Sequence, residues 1–416
     1  MNVMRVAWRM VVAGLLLSVV TSRADDFALH DGDTVVFLGD SITAERTYGK
    51  VVETYTLLRF PDRKVRFVNA GWGGDTAAGG LARLDRDVLD KGATVVTVAY
   101  GINDIGWGTK ADAEHRQKYL DSVRDIVERC NARKVRVFVC SAAVTAADPD
   151  KSEADFLQQM CDEGMKRSTS LGGGAIDAQR SMRDVQRRIK AANAKEPDEK
   201  KRETLHAPDG VHLNNLGQTA MAFAILKGLG APRDVSSVAI DAAGPRVESA
   251  EGCSATDVSL DQGELRFTRL DRGLPLNFGL FGALKYRFIP IPDQINRYLL
   301  TVKGLSAGKY DVTASGRKVG TFTDSQLAAG VNLSSATADP WQPGGPWEAQ
   351  AWLVNMLTDA RNDAVGPDKF FDDYLKQNPN REAIVRRTAD VNAAIEALQR
   401  ETAKPVPYHF VVKPAE

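Results

Sequence analysis

Between residue 34 and about residue 228 the chain alternates short apolar runs with longer stretches of helical periodicity. That alternation restricts the fold more than any other feature. Thr34–Leu38, Val65–Asn69, Thr94–Tyr100 and Lys134–Cys140 are rich in Val and Phe, as suits strands buried on both faces of a parallel sheet. Tyr48–Phe60, Thr76–Asp90, Ala111–Cys130 and Glu153–Ser170 lie between and after them, with apolar residues at helical spacing. A weaker strand over Gly174–Asp177 leads into a helix through Ala192, and a last helix spans Asn215–Leu229. Such alternation predicts a three-layer α/β/α domain over residues 25–230. In an open sheet of this kind the functional crevice lies beyond the carboxyl ends of the strands.

The pattern changes near Ala231-Pro232-Arg233. Arg246–Ala250, Glu264–Arg269, Tyr286–Ile289, Tyr298–Val302 and Tyr310–Ala314 read as short strands, with a hairpin turn at Ser315-Gly316-Arg317. Residues 231–338 are therefore expected to form a small β-rich module. A Pro- and Gly-rich stretch follows, carrying Trp341 and Trp347. The rest, 339–416, reads as a helical extension over Trp347–Asn362, Lys369–Lys376 and Arg381–Thr402, with a possible final strand at Tyr408–Val412.

Residues 1–24 have the layout of a secretory signal peptide: Arg5 and Arg9, an apolar run from Val11 to Val20, then Ser22-Arg23-Ala24. The expected location is therefore periplasmic or extracellular, with no stable membrane insertion after cleavage. Export puts Cys130, Cys140, Cys161 and Cys253 in an oxidising compartment, where their pairing is open. They show no CxxC spacing and no neighbouring His cluster, so no metal site is expected. Lys+Arg equal Asp+Glu at 54 each, and the charges are interspersed. No global field draws the protein to nucleic acid. The mixed-charge run Lys195–Glu203 reads as a solvated loop.

Four stretches carry the chemistry. Ser41 follows the first strand in Gly39-Asp40-Ser41, and Gly39 permits a tight turn there. Asn69-Ala70-Gly71-Trp72-Gly73-Gly74-Asp75-Thr76 follows the second, where glycines can bring a backbone N–H close to a ligand. Asn103 follows the third in Gly101-Ile102-Asn103-Asp104, and its amide can donate to an oxyanion. Far downstream, Asp209 and His212 stand three residues apart, so one turn can bring their side chains together. Asp209 can then fix the tautomer of His212, which is left free to take the Ser41 proton. His206 lacks an acid at this spacing and is expected to be structural or exposed. Asp75 and Asp104 are expected to tie down the loops. Trp72 and Trp107 could stack sugar rings or pack as core.

Together these stretches resemble the SGNH (GDSL) hydrolase superfamily, marked by Ser in Gly-Asp-Ser, a Gly in the second block, Asn in Gly-x-Asn-Asp and His in Asp-x-x-His. The matching residues are Ser41, Gly74, Asn103 and His212, with Asp209 as the acid. Gly73-Gly74-Asp75-Thr76 and the helix after it look like the bacterial secreted esterase branch. The resemblance implies a flavodoxin-like α/β/α domain and no metal or other cofactor. It also implies ester hydrolysis through an acyl-serine, with the N–H groups of Ser41 and Gly74 and the Asn103 amide as the oxyanion hole. The substrate is expected to be a small-molecule or glycan ester, with a carbohydrate O-acetyl ester favoured. Lysophospholipase, lipase-like or thioesterase activity and a non-catalytic glycan-binding role are the alternatives. The resemblance ends near residue 230.

Overall fold

The computed structural model describes residues 27–279, 282–339, 341–342, 344–364 and 369–415. The expected signal peptide, residues 1–24, lies outside them.

The first half runs β1 (Thr34–Gly39), α1 (Ser41–Ala44), α2 (Thr47–Arg59), β2 (Arg66–Gly71), α3 (Ala77–Ala82), α4 (Leu84–Asp87), β3 (Val95–Ala99), α5 (Ala113–Ala132), β4 (Arg136–Cys140), α6 (Phe156–Ser170), β5 (Gly174–Ile176), α7 (Ala178–Asn193) and α8 (Asn215–Gly228). The strands form one parallel sheet in the order β2-β1-β3-β4-β5, the flavodoxin-like arrangement. Period-two alternation divides its two cores. Val35 and Phe37 face a cluster holding Val52 and Tyr55 of α2, Met182 and Val185 of α7, and Met221 and Ile225 of α8. Val36 and Leu38 face the other, with Leu120 and Ile126 of α5 and Met160 of α6. Each side chain sits on the face its position in the pleat dictates.

Short polar caps start the helices where the strands end. Asp40, Thr76, Asp112, Asp177 and Asn214 each accept a hydrogen bond from a backbone N–H in the first turn that follows. Register then aligns the strand ends: Gly39 pairs with Gly71 on one side and Ala99 on the other. The loops carrying Ser41, Gly74 and Asn103 therefore leave one edge of the sheet side by side.

The single helix expected over Thr76–Asp90 is broken at Arg83, which takes φ −106° and ψ 8° between α3 and α4. Helical periodicity runs on through Arg83, but its side chain turns inward to satisfy buried acceptors, and that tertiary demand overrides local propensity.

The second half comprises β6 (Asp234–Asp241), β7 (Arg246–Glu251), β8 (Cys253–Asp261), β9 (Glu264–Asp271), α9 (Ile291–Gln294), β10 (Arg297–Lys303), β11 (Lys309–Ala314), β12 (Arg317–Thr323), α10 (Asp324–Ala329), β13 (Val331–Asn332), α11 (Pro346–Ala364), α12 (Lys369–Gln377), α13 (Arg381–Ala403) and β14 (Tyr408–Pro414). Two sheets result, ordered β13-β10-β6-β7 and β12-β11-β14-β9-β8. The last strand lies between β9 and β11, antiparallel to both. Buried Trp347 of α11 packs on Tyr298 of β10 and on Tyr408 and Phe410 of β14, at ring distances of 4.9, 5.8 and 6.0 Å. Helix α11 also lies on α2, where the Thr54 hydroxyl donates to Thr358 Oγ1 at 3.2 Å. The core on the α2–α8 side of the parallel sheet thus continues into the second half.

Tyr286–Ile289 is not a strand. Its start belongs to a 3₁₀ turn over Gly282–Arg287, and Phe288 and Ile289 are buried. The run precedes Pro290 and Pro292, which have no N–H to give a ladder, and its apolar residues are buried by tertiary packing instead. The four cysteines are free thiols, three of them buried.

Candidate active site

Ser41 is the first residue of α1, capped by the carboxyl of Asp40, which accepts from Ile42 N–H at 3.0 Å. Position N1 leaves the Ser41 N–H without an intrahelical acceptor. Ser41 Oγ lies 2.9 Å from His212 Nε2. His212 Nδ1 lies 2.7 Å from Asp209 Oδ2. The other Asp209 oxygen accepts the N–H groups of Val211 and His212, both at 2.9 Å. These bonds, that from Val211 first, hold the Asp209 carboxyl down at about 2, so it is ionised throughout the neutral range. An ionised acceptor at Nδ1 keeps the proton there and leaves the Nε2 lone pair facing Ser41.

Of Gly71, Gly73 and Gly74, only Gly74 takes positive φ, at 72°. No atom lies within 4 Å of where its Cβ would stand, so its backbone borders open space. Gly71 is required for a different reason: a Cβ there would stand 2.2 Å from the Ala44 nitrogen. The Asn103 amide donates one proton to the Asp75 carbonyl at 3.0 Å, and a primary amide has a second to give. Its Oδ1 accepts from the indole N–H of Trp107 at 2.9 Å.

Beneath this layer lies a buried polar network. Arg83 pairs with Asp75 at 2.8 Å and with Asp87 at 3.0 Å. It also donates to the Gly39 carbonyl at 3.1 Å and to the Tyr100 hydroxyl at 2.8 Å. Tyr100 donates in turn to Asp75 at 3.0 Å. Asp104 accepts from Ala77 N–H at 3.0 Å. Asp75 and Asp104 thus do the loop-tying work expected of them. Burial pushes the Asp104 carboxyl up to about 6 and that of Asp40 up to about 7.

Sequence reasoning did not single out Arg83 or Tyr100. A charge inside a helical segment and a Tyr at a strand end carry no motif, and their roles exist only once the loops meet. His206 is buried, with Nε2 3.0 Å from the Val144 carbonyl, which is a structural place. Trp72 has the guanidinium groups of Arg83 and Arg86 over its ring, at 4.8 and 4.7 Å from the centroid. Trp107 is 48% exposed and meets the His212 ring edge-on at 5.5 Å. Behind it lies a cavity of about 200 Å³ whose lining includes Ile102, Ile105, Val144, Phe156 and Leu157. Among the described residues, no group of three or more His, Cys, Asp or Glu could hold a metal ion.

The model of the GDSL-like lipase/acylhydrolase family matches residues 37–220. No curated protein matches the chain. Among solved structures, BT4096, a gut microbial diltiazem-metabolizing enzyme, is similar in fold over 94% of this chain and 100% of its own, at 22% identity and a TM-score of 0.78. Axe2, an acetylxylan esterase from Geobacillus stearothermophilus, aligns with 49% of this chain and 96% of its own, at 19% identity and a TM-score of 0.41. The chain is a serine ester hydrolase whose residues 37–220, the stretch that holds Ser41, Gly74, Asn103, Asp209 and His212, match the model of the GDSL-like lipase/acylhydrolase family.

Proposed function

We propose that the chain is an exported esterase that removes short acyl groups, with acetyl esters of carbohydrates as its favoured substrates. The observation that carries this reading is the hydrogen-bonded series Ser41–His212–Asp209, at 2.9 and 2.7 Å. Ser41 Oγ attacks the ester carbonyl carbon while its proton passes to His212 Nε2. The carbonyl π electrons move onto oxygen, which is held by the N–H groups of Ser41 and Gly74 and the free amide proton of Asn103. The tetrahedral intermediate collapses, the C–O bond to the alcohol breaks, and His212 gives that alcohol its proton. A water then gives a proton to His212 and attacks the acyl-serine; the Oγ–acyl bond breaks, His212 returns the proton to Ser41 Oγ, and the acid is released.

Two features support the substrate. The nucleophile and base are only half-buried, so a bulky sugar can approach them. An exposed indole, Trp107, stands beside the base, where a sugar ring can stack on it. Export rests on the charged, then apolar, then small-residue layout of residues 1–24.

The test compares purified protein with Ser41→Ala on p-nitrophenyl acetate, p-nitrophenyl laurate and acetylated xylan. The acetyl ester should exceed the lauroyl ester by about tenfold in kcat/KM, equivalent to ~1.4 kcal/mol, with acetate released from the xylan. Ser41→Ala should abolish all three activities. Equal or faster laurate hydrolysis would move the reading to a lipid esterase.

A further inference from the structure

We propose that Trp107 is a positioning residue for the oxyanion hole, acting through the carboxamide of Asn103. The proposal rests on the esterase reading above and adds a residue to it.

A carboxamide has a donor end and an acceptor end, and only the donor end can hold an oxyanion. In the structure Nδ2 of Asn103 donates to the Asp75 carbonyl at 3.0 Å, and Oδ1 accepts from Trp107 Nε1–H at 2.9 Å. An indole nitrogen can only donate. Flipping the amide would set NH₂ against N–H on one side and oxygen against the Asp75 carbonyl on the other. Both partners therefore select the same orientation, the one that leaves a proton for the substrate. The Asp75 carbonyl is backbone, and the Trp107 indole is the side chain that makes the choice.

The backbone points the same way. Gly106, Trp107 and Gly108 take φ of 53°, 57° and 94° in succession. Left-handed backbone is ordinary for the glycines and unfavourable for a tryptophan between them. The turn is held by Trp107 N–H to the Ile102 carbonyl and Lys110 N–H to the Ile105 carbonyl, both at 2.9 Å. The strained residue is 48% exposed, so it is not a core residue whose full burial would explain the conformation. What the conformation achieves is the bond to Asn103 and the edge contact with His212. Strain of this kind is characteristic of functional sites.

A double-mutant cycle on p-nitrophenyl acetate tests the proposal. Trp107→Phe keeps an aromatic ring beside His212 and removes the N–H donor along with part of the indole's bulk. Asn103→Ala should lower kcat by roughly 10²-fold, as loss of an oxyanion donor does. Trp107→Phe should lower kcat by about tenfold with KM changed less than about twofold, and should have almost no further effect when Asn103 is already Ala. Additive effects, or a change confined to KM, would make Trp107 a substrate platform and overturn the proposal. A second readout needs no turnover. The Trp107 indole proton, observed by NMR, should exchange slowly with solvent despite the exposed ring, and fast in Asn103→Ala. Equal exchange in both proteins would also overturn it. Absence of wild-type ester turnover together with a protected indole proton would instead count against the esterase reading alone.

Discussion

At the scale of single residues, carboxyl groups at the site are tuned in opposite directions. Asp209 is held down at about 2 by hydrogen bonds to its charged form. Its contribution to stability is present above the ordinary carboxylate range near 3.8 and is lost as pH falls toward 2. An acid limb of the activity profile well above that pH therefore belongs to another group. Asp209→Asn can still accept from the Val211 and His212 N–H groups but carries no charge for the imidazolium. It should lower kcat by on the order of 10³–10⁴-fold with little change in fold, read by kinetics beside circular dichroism. Asp40 behaves oppositely. Burial raises it from 3.8 to about 7, so the folded state holds its proton more tightly than the unfolded chain. Stability from this group grows as pH falls from about 7 toward the unfolded value and is lost as pH rises through about 7. Asp40→Asn keeps an acceptor for Ile42 N–H and should flatten the fall of Tm with rising pH between about 4 and about 7. An unchanged slope would assign the dependence elsewhere, with Asp104 next to be tested.

At the scale of elements, the ends of β1, β2 and β3 are fastened from below by Arg83. Its guanidinium joins the Gly39 carbonyl, Tyr100 and Asp75, and it is 7% exposed. Arg83→Met leaves the part-buried Asp75 carboxylate with the Tyr100 hydroxyl but no cation, a loss of up to about 3 kcal/mol for a broken pair of this kind. A lower Tm and a lower kcat are expected together, whereas a variant with normal Tm and normal turnover would remove Arg83 from the account of the site. The elements also show why some positions were legible in sequence and others were not. Ser41, Asn103, Asp209 and His212 stand in short local patterns at strand ends or in one turn, so spacing brings them forward, and the family resemblance picks Gly74 from among three neighbouring glycines. Arg83 has no such pattern, because its partners come from three different loops. Tyr286–Ile289 has strand-like composition but lies against α7, where Arg188 donates to the Phe288 carbonyl at 3.1 Å. Strand β8 was not foreseen because it is mostly exposed and offers no apolar alternation to read.

At the scale of the whole molecule, the two halves share one core. Glu53 of α2 is 2% exposed and pairs with Arg361 of α11. The Gln399 amide of α13 donates to the same carboxylate at 2.9 Å. Arg46, between the helix that carries Ser41 and α2, donates to the Asn362 carbonyl at 2.6 Å. Strand β14 supplies the middle of a sheet whose other strands lie more than eighty residues earlier. Ending the chain before residue 346 would expose the apolar face of α2, strip Glu53 of Arg361 and Gln399, and open two strand edges. That truncation should be insoluble or aggregated on size-exclusion chromatography. A soluble fragment with full activity would show instead that the second half is dispensable. These long-range joins escape sequence reading because each depends on residues far apart along the chain, with no local pattern to link them.

The measurement that bears most directly on the catalytic assignment is peptide mapping by mass spectrometry after treatment with a serine-directed organophosphate. One phosphoryl adduct on Ser41, formed at the rate at which ester turnover is lost and strongly slowed in His212→Ala, is the expected result. Loss of turnover with no adduct on Ser41, or an adduct on another residue, would contradict it.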